Sequence, residues 1–461
     1  MRNMRSPLVL ALLAPFALAA CAHGAPANSR APAVPVSSSP ASPVALPFVE
    51  DDYGRALSEA KASHKLLFVD AWATWCHTCL SMKAYTFRDA KVRARAGDVV
   101  WAAIDTEKPE NAAWVTAHPM HSWPTLFLVD PEDGKTVLEW PNSATPEELM
   151  RLLDVAEASR HHEGTLAKAA ELELAGNNAA AGGKRDEAVA AWREAIAVAP
   201  EGWPGRAPTV ESLVEALFAK KDDAACVATA DRELPKVPRG GARTATMAVM
   251  CATRMPATDR AKVLDGAIHR AQAMAVDENE PMLPDDRSGL YEVIVDALKE
   301  DGRESDAKGV AGQWASYLEG EARDAHDPAE RAVFDAHRLE AYLALGAPER
   351  AIPMLEGSAR DFPGDYNPPA RLARVYLAMK RYDDALAAVD RGLGLVYGPR
   401  ALRLYATKAD ILEGRANQGD RARAAAALRE GLARVGADVP ARYAPLATDL
   451  AQRAQKLEAA R

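Results

Sequence analysis

The chain has 461 residues, of which 48% are hydrophobic and 26% charged, and its formal net charge is -9 at pH 7. A chain of this length and composition can bury ordinary cores and should divide into about two or three folding units. The acidic balance excludes a protein that binds nucleic acid independently of sequence, because such binding depends on Lys and Arg at the phosphates.

The start of the chain has the pattern of an export signal. Arg2 and Arg5 form a basic start, and a charge-free apolar run follows over residues 7–20. That run is short for a membrane-spanning helix. The motif LAAC at residues 18–21 resembles the lipobox of bacterial lipoproteins, which implies that Cys21 is lipidated and that residues 1–20 are removed. The alternatives are an uncleaved anchor or a plain signal followed by a chance cysteine.

Residues 21–47 are rich in Ala, Pro and Ser and lack hydrophobic periodicity, which predicts a tether. The remaining four cysteines fall into two groups. They are the C-x-x-C pair Cys76 and Cys79, and the separate Cys226 and Cys251. Export would place them in an oxidising compartment, where a thiol pair is either a structural disulfide or a redox catalyst. The separate two fall in adjacent predicted helical segments, where a structural disulfide and two buried free thiols are both open.

Residues 48–160 alternate between helical and strand patterns. The predicted strands are residues 66–69, 99–104, 125–129 and 137–140. The predicted helices are residues 51–63, 76–88, 109–117 and one that starts after the cap-like residues 143–145. Strands that alternate with helices and end in a hairpin predict an α/β sheet covered by helices.

Residues 164–461 carry alanine-rich helical patterns with a fixed period. Two pairs of positions are 34 apart, Tyr342 with Tyr376 and Ala351 with Ala385. The offsets from Ala351 to Ser358 and Pro363 recur from Ala188 to Ala195 and Pro200. This arrangement resembles the tetratricopeptide repeat, in which small residues let two helices pack closely and a proline ends the second. The resemblance implies a helical solenoid that binds a protein on its concave surface.

The repeat pattern is not uniform. It is looser around Ala225, Ala307 and Ala424, and residues 277–286 interrupt its spacing. An irregular all-helical domain is therefore the alternative to true repeats.

The pair Cys76 and Cys79 has the order that a catalytic thiol pair requires. A strand ends, a short turn follows, and Cys76 opens the next helix. The N-terminus of a helix stabilises a thiolate, so Cys76 is predicted to be an exposed nucleophile and Cys79 to resolve the mixed disulfide. A protonated His77 would favour the thiolate further. Half of a zinc site is the alternative. The histidines that could complete it, His64, His118 and His121, show no paired metal spacing.

The segment VDAWATWCHTC at residues 69–79 resembles the active-site segment of thioredoxins. YTFRD at residues 85–89 is more specifically similar to the periplasmic C-terminal domain of thiol:disulfide interchange proteins of the DsbD type. The resemblance implies a redox-active disulfide with no further cofactor and no metal. It also implies that Asp70 is the buried acid that deprotonates the resolving cysteine. Pro124 would be the cis proline beside the disulfide, where the preceding backbone pairs with substrate.

Both assignments have alternatives, and the sequence also departs from the thioredoxin pattern. Asp70 could be a hydrogen-bonded structural acid and Pro124 an ordinary trans turn residue. Next to the disulfide, His77-Thr78 replaces the common Gly-Pro, and Trp123 precedes the proline. In the family these positions tune redox poise and substrate choice. We therefore expect Trp75, His77 and Trp123 to contact substrate, and the direction of electron transfer stays open.

These features predict an α/β thioredoxin-like domain followed by an all-α tetratricopeptide-like helical solenoid. The leading hypothesis is a membrane-anchored envelope thiol:disulfide oxidoreductase that reduces protein disulfides and is reset by a redox partner protein. Its membrane contact is the N-terminal lipid, and no nucleic acid is expected. An oxidase or isomerase would use the same chemistry. The rival class is an interaction scaffold whose solenoid binds partners while the small domain is accessory or senses redox state.

Overall fold

The computed structural model describes residues 45–120, 122–159, 164–237, 241–436 and 439–459. Cys21, the export signal and most of the tether lie outside the described residues. The described chain forms an α/β sheet domain followed by a helical solenoid, so the predicted fold class is confirmed. Among the described helices, none combines the length and the apolarity needed to cross a bilayer.

The α/β domain begins with a strand that the sequence pattern did not reveal. Its strands are β1 (Val49–Glu50), β2 (Leu67–Trp72), β3 (Val100–Asp105), β4 (Thr125–Val129) and β5 (Thr136–Pro141). Its helices are α1 (Tyr53–Ser63), α2 (His77–Ala84), α3 (Ala90–Ala94), α4 (Ala112–Ala117) and α5 (Pro146–Ser159), with 3-10 turns at Thr86–Arg88 and Pro109–Asn111. A two-residue strand is too short to show the alternation by which strands are predicted, which is why β1 was missed.

The sheet has the order β1-β3-β2-β4-β5. The central strand β2 is parallel to β3 and antiparallel to β4. Leu67 and Val69 of β2 share one buried cluster with α1, and Phe68 shares another with Met82 of α2. Because side chains alternate along a strand, Asp70 lies on the same face as Phe68. This is the face covered by the helix that follows Cys76.

Helix starts in this domain follow from local side chains. Asp52 caps α1 by accepting a hydrogen bond from the Arg55 amide at 2.9 Å. At the start of α5, Glu148 accepts from the Thr145 amide at 2.8 Å and the Thr145 hydroxyl accepts from the Glu148 amide at 3.3 Å. This reciprocal pair is a capping box, and it fixes the helix start that the residues around Thr145 predict.

The solenoid consists of helices that pack against their neighbours in the chain. They are α6 (Gly164–Ala181), α7 (Arg185–Val198), α8 (Arg206–Ala219), α9 (Asp223–Glu233), α10 (Ala242–Arg254), α11 (Ala257–Val276), α12 (Pro284–Glu300), α13 (Glu304–Asp324), α14 (Pro328–Val333), α15 (Asp335–Leu345), α16 (Ile352–Asp361), α17 (Asn367–Ala378), α18 (Tyr382–Leu395), α19 (Ala401–Arg415), α20 (Asp420–Val435) and α21 (Ala444–Ala459). The repeat alanines Ala188, Ala351 and Ala385 are fully buried. Their small side chains let paired helices approach closely, as the repeat pattern predicts.

Cys226 of α9 and Cys251 of α10 form a disulfide, with their Cα atoms 6.3 Å apart. Both cysteines are fully buried in the main core of the solenoid. Of the two alternatives that the sequence leaves open, the structure contains the disulfide. It ties two consecutive helices together and lies apart from the C-x-x-C pair.

Candidate active site

Cys76 and Cys79 form a disulfide at the N-terminus of α2, with their Cα atoms 5.2 Å apart. Cys76 is the N-cap residue of the helix, and its Sγ accepts a hydrogen bond from the Cys79 amide at 3.0 Å. That amide and the helix dipole would also stabilise a Cys76 thiolate after reduction. The expected exposure of Cys76 is wrong, because its relative exposure is only 4%.

Aromatic side chains surround the disulfide. Trp72, Trp75 and Trp123 pack against the two cysteines, and the ring centroids of Trp75 and Trp123 lie 5.8 Å apart. The Trp123–Pro124 peptide bond is cis, as the resemblance to thioredoxins implies. The indole N–H groups of Trp75 and Trp123 donate to Glu107 at 3.2 Å and to Thr106 at 2.9 Å. The two tryptophans are therefore held over the disulfide by the loop that follows β3.

Asp70 is buried at 1% exposure, and neither of its carboxylate oxygens has a hydrogen-bond partner among the described residues. Burial raises the pKa of Asp70 to about 7, and the charge of Lys83 opposes part of that rise. Burial also lowers the pKa of Lys83. A carboxyl group that titrates near neutral pH can accept and return a proton at physiological pH, as a base for a thiol requires.

His77 contacts the solenoid. Its Nδ1 lies 2.9 and 2.8 Å from the two carboxylate oxygens of Asp285, in the first turn of α12, and the Thr78 hydroxyl donates to the same carboxylate at 2.8 Å. Burial would lower the pKa of His77, but the charge and hydrogen bond of Asp285 outweigh it and raise that pKa. Burial would raise the pKa of Asp285, but the charge of His77 and the hydrogen bonds from His77 and Thr78 lower it to about 2. The ion pair therefore favours the charged form of His77, the residue that follows Cys76 in the chain.

A second histidine lies behind the first. The ring centroids of His77 and His337 are 4.2 Å apart, and His337 Nδ1 lies 2.6 Å from the Ser288 hydroxyl. Burial, and then the charge of His77, lower the pKa of His337 to about 3, so its ring is neutral. Within the described part of the chain, His77, Asp285 and His337 are the one set of residues whose ligand atoms come within 4.8 Å of one another, close enough for a metal ion. His77 already bonds Asp285, and His337 Nδ1 already bonds Ser288.

The residues named for the zinc alternative to the C-x-x-C pair have other partners in the described part of the chain. The two cysteines are bonded to each other. His64 lies against Glu132, and His118 stacks on Trp114. His121 lies outside the described residues.

The solenoid also covers the loops around the disulfide, and both parts fall within one compact unit. The hydrogen bonds run from Asn367 Nδ2 to the Thr74 carbonyl (3.1 Å), from Tyr397 Oη to Asp105, from Arg442 to Glu107 (2.9 Å) and from Arg442 to the Thr106 carbonyl (3.1 Å). The guanidinium groups of Arg400 and Arg442 lie 4.8 Å from the Trp75 ring centroid and 5.2 Å from that of Trp123. These contacts hold the Trp75 and Trp123 rings, which pack against the buried Cys76.

Sequence reasoning missed every solenoid residue at this site. Asp285 is 208 positions from His77, and Arg442 is 335 positions from Glu107. No local pattern marks which solenoid side chain meets which loop. One signal was present, because residues 277–286 interrupt the repeat spacing and Asp285 lies in that interruption.

The fold and the site together define a thioredoxin-like domain with a C-x-x-C pair, joined to tetratricopeptide repeats. Comparison with known families agrees with this description. Residues 53–157 match the thioredoxin-like domain family, and residues 342–407 match the tetratricopeptide repeat family.

Individual relatives are similar over the thioredoxin-like region. A thiol:disulfide interchange protein DsbD from Pseudoalteromonas atlantica is 33% identical over 84 residues, which are 17% of this chain and 14% of that protein. The DsbD of Colwellia psychrerythraea is 27% identical over 108 residues, 23% of this chain and 16% of that protein. The chain thus spans about one seventh of the length of these relatives.

Among solved structures, a tetratricopeptide repeat protein from Parabacteroides merdae aligns with 63% of this chain and 99% of its own. Its sequence identity is 12% and the TM-score is 0.36.

Proposed function

We propose that this protein is a thiol:disulfide oxidoreductase that reduces disulfide bonds in proteins or peptides. The observation that carries the proposal is the position of Cys76 as the N-cap of α2, bonded to Cys79 and beside the Trp123–Pro124 bond. Asp70 supplies a buried base on the face of the sheet that α2 covers. The similarity to thiol:disulfide interchange proteins over this domain supports the same chemistry.

The proposed reaction starts from the dithiol form. The Cys76 thiolate attacks one sulfur of the substrate disulfide, the substrate S–S bond breaks, and the first substrate thiol leaves with a proton. Cys79 then gives its proton to the Asp70 carboxylate and attacks Cys76 Sγ. The Cys76–substrate S–S bond breaks as the Cys76–Cys79 disulfide forms, and the second substrate sulfur leaves as a thiol by taking the proton from Asp70. Two electrons have passed to the substrate, and a dithiol protein that donates two electrons and two protons restores the pair.

The direction of electron transfer is part of the proposal. The charged His77 stabilises a Cys76 thiolate, which makes the pair easier to reduce and a stronger oxidant than it would otherwise be. Asp70 favours the reductive cycle, because a base near the resolving cysteine speeds release of the reduced product. An oxidase or isomerase would use the same residues in another order.

The proposed location is the cell envelope, with a lipid on Cys21 and a Pro/Ala/Ser-rich tether over residues 21–47. The support is the sequence alone, through the basic start, the apolar run and the LAAC motif. Palmitate labelling of the native protein and of a Cys21→Ser variant tests the anchor. Equal labelling of the two forms would exclude it.

Reduction of insulin and of a short peptide disulfide by residues 22–461, with dithiothreitol as the electron donor, tests the activity. We expect acceleration over dithiothreitol alone that disappears in Cys76→Ser. A Cys226→Ser, Cys251→Ser double variant is the matched control, because it removes the other disulfide and should keep the activity if it folds. Unchanged activity in Cys76→Ser would reject the proposal.

The near-complete burial of Cys76 favours a second candidate, an interaction scaffold in which the disulfide senses redox state. In such a protein, reduction of Cys76–Cys79 would alter the contacts between α2 and α12 and so change what the solenoid binds. The two candidates differ in turnover. A catalyst reduces many equivalents of substrate disulfide, whereas a sensor undergoes one two-electron change for each chain.

A further inference from the structure

A cavity of about 470 Å³ opens beside the redox pair, between the α/β domain and the solenoid. Trp75 and His77, the residues on either side of Cys76, both line it. Helices α17 and α19 supply the opposite walls. A molecule in this cavity therefore lies next to the attacking cysteine.

The cavity is lined by four arginines, Arg371, Arg374, Arg400 and Arg403. Arg374 forms a two-point ion pair with Glu340, with N–O distances of 2.5 and 3.1 Å. The other three make no ion pair and no side-chain hydrogen bond with any residue that the structure describes. Burial and the charge of neighbouring Arg400 lower the pKa of Arg403. Three cations thus face one cavity without an ion-paired carboxylate; the charge of Asp335 acts on Arg371, and that of Glu107 on Arg403, only through space.

Unpaired arginines at this place contrast with the arginines that link solenoid helices. Arg303 bonds Asp265 at 2.6 Å, and Arg415 bonds Asp420 at 2.8 Å. The one further carboxylate in the lining is Glu292, and burial raises its pKa to about 7, so it is partly neutral at physiological pH. The cavity therefore keeps a net positive charge.

A second cavity of about 460 Å³ lies on the other side of His77 and has the opposite character. Its lining includes five carboxylates, those of Asp285, Asp286, Glu292, Asp296 and Glu300. Its two arginines, Arg243 and Arg254, are paired with Glu215 and Asp223. Asp286 and Glu292 are partly neutral, since burial raises the pKa of each to about 7, and Asp285 is paired with His77. The first cavity, with its three unpaired arginines, is therefore the more favourable of the two for an anionic group that approaches Cys76.

We propose that Arg371, Arg400 and Arg403 form a subsite for acidic side chains that flank the cysteine of a disulfide substrate. The inference rests on the proposed function and names its substrate class, peptide segments with Asp or Glu near the reactive cysteine. Arg400 lies 4.8 Å from the ring centroid of Trp75, which precedes Cys76 in the chain. Since an extended residue spans about 3.4 Å, a carboxylate at Arg400 belongs to a residue within a few positions of the attacked cysteine.

Two peptide disulfides that differ only in flanking residues, Glu in one and Lys in the other, test the subsite. With residues 22–461 and dithiothreitol, we expect kcat/KM to be about tenfold higher for the Glu peptide, because charge-assisted hydrogen bonds to guanidinium groups are strong. The ratio should fall below about threefold in an Arg371→Gln, Arg403→Gln variant, and it should also fall with added salt. Arg360→Gln is the control, since Arg360 is exposed on α16 outside the cavity.

Binding of the same peptides with Ser in place of Cys, measured by fluorescence anisotropy, separates this inference from the proposed function. Tight binding of the Glu peptide that is lost in the double arginine variant, without reduction of either disulfide, would support the subsite and reject the oxidoreductase. Reduction of both peptides at equal rates would reject the subsite and keep the oxidoreductase. A Glu preference that survives the double substitution would also overturn the subsite.

Discussion

Asp70 lies in the centre of the sheet with neither carboxylate oxygen hydrogen-bonded to a described residue, although Lys83 is near. A buried carboxylate without hydrogen bonds destabilises the folded state, because folding removes it from water. Such a residue has a clear use if its proton is needed during turnover. We therefore propose that Asp70 accepts the proton of Cys79 during turnover.

Asp70→Asn should change how stability depends on pH. The pKa of Asp70 is raised to about 7 in the folded protein, so its contribution is most favourable below the unfolded pKa and is lost as pH rises toward 7. Only the native protein loses this contribution. The unfolding free energy of Asp70→Asn minus that of the native protein should therefore rise by about 2–3 kcal/mol from pH 5 to pH 8. Urea denaturation without reductant measures it. Asp449→Asn, on the exposed face of α21, should show no such rise. A difference for Asp70→Asn that stays constant with pH would contradict the raised pKa of Asp70.

Asp285→Asn should weaken the charged form of His77. With Asp285 present, the raised pKa of His77 keeps an imidazolium beside Cys76 at neutral pH. Loss of that charge should slow alkylation of reduced Cys76 at pH 7 several-fold and lower the midpoint potential by about 30 mV for each tenfold change in equilibrium constant. The matched control is Asp286→Asn, since Asp286 bonds Ser143 rather than His77. Equal alkylation rates and potentials in all three proteins would contradict this role.

The helices of the solenoid show which features a sequence can reveal. The spacing of Ala188, Ala351 and Ala385 predicted close helix pairs because small residues are needed wherever two backbones approach. Gly346 ends α15 in a left-handed conformation with φ 73°, which a glycine adopts without strain. The pairing of Cys226 with Cys251 stayed open, because spacing along a chain does not give the distance between side chains.

Removal of the Cys226–Cys251 disulfide should lower stability without abolishing the fold. The bond closes a loop between positions 25 apart, and the chain-entropy estimate for such a loop is about 3 kcal/mol. Cys226→Ser, Cys251→Ser should therefore reduce the unfolding free energy by about 3 kcal/mol in urea. The native protein under reductant should approach the variant. An unchanged midpoint would show that the buried core alone sustains α9 and α10.

At the scale of the whole molecule, the solenoid does more than extend the thioredoxin-like domain. It supplies Asp285 to His77, Arg442 to Glu107 and Arg400 to the face of Trp75. The local part of the site, Cys76, Cys79 and Pro124, could be predicted because short segments fix its geometry. The solenoid contacts around the disulfide could not be predicted, since they join residues more than two hundred positions apart. The predicted exposure of Cys76 is wrong because Trp72, Trp75 and Trp123 pack against it, and solenoid arginines lie on two of these rings.

Arg442→Ala should uncover the disulfide. The variant loses the hydrogen bonds to Glu107 and Thr106 and the contact with Trp123, and it leaves the buried Glu107 without its ion pair. We expect faster alkylation of reduced Cys76 and a loss of about 3 kcal/mol in stability. Arg429→Ala is the control, because the Arg429–Glu458 pair is half exposed on the surface and is worth little. Alkylation at the native rate would show that the solenoid does not limit access.

Capture of substrates by a Cys79→Ala variant in the native cell envelope tests the central claim most directly. Without the resolving cysteine, a Cys76 nucleophile stays joined to its substrate as a mixed disulfide. We predict adducts on Cys76, identified by mass spectrometry, that are absent from the Cys76→Ser, Cys79→Ala double variant. Adducts that persist in the double variant, or none in either protein, would contradict an oxidoreductase that acts through Cys76.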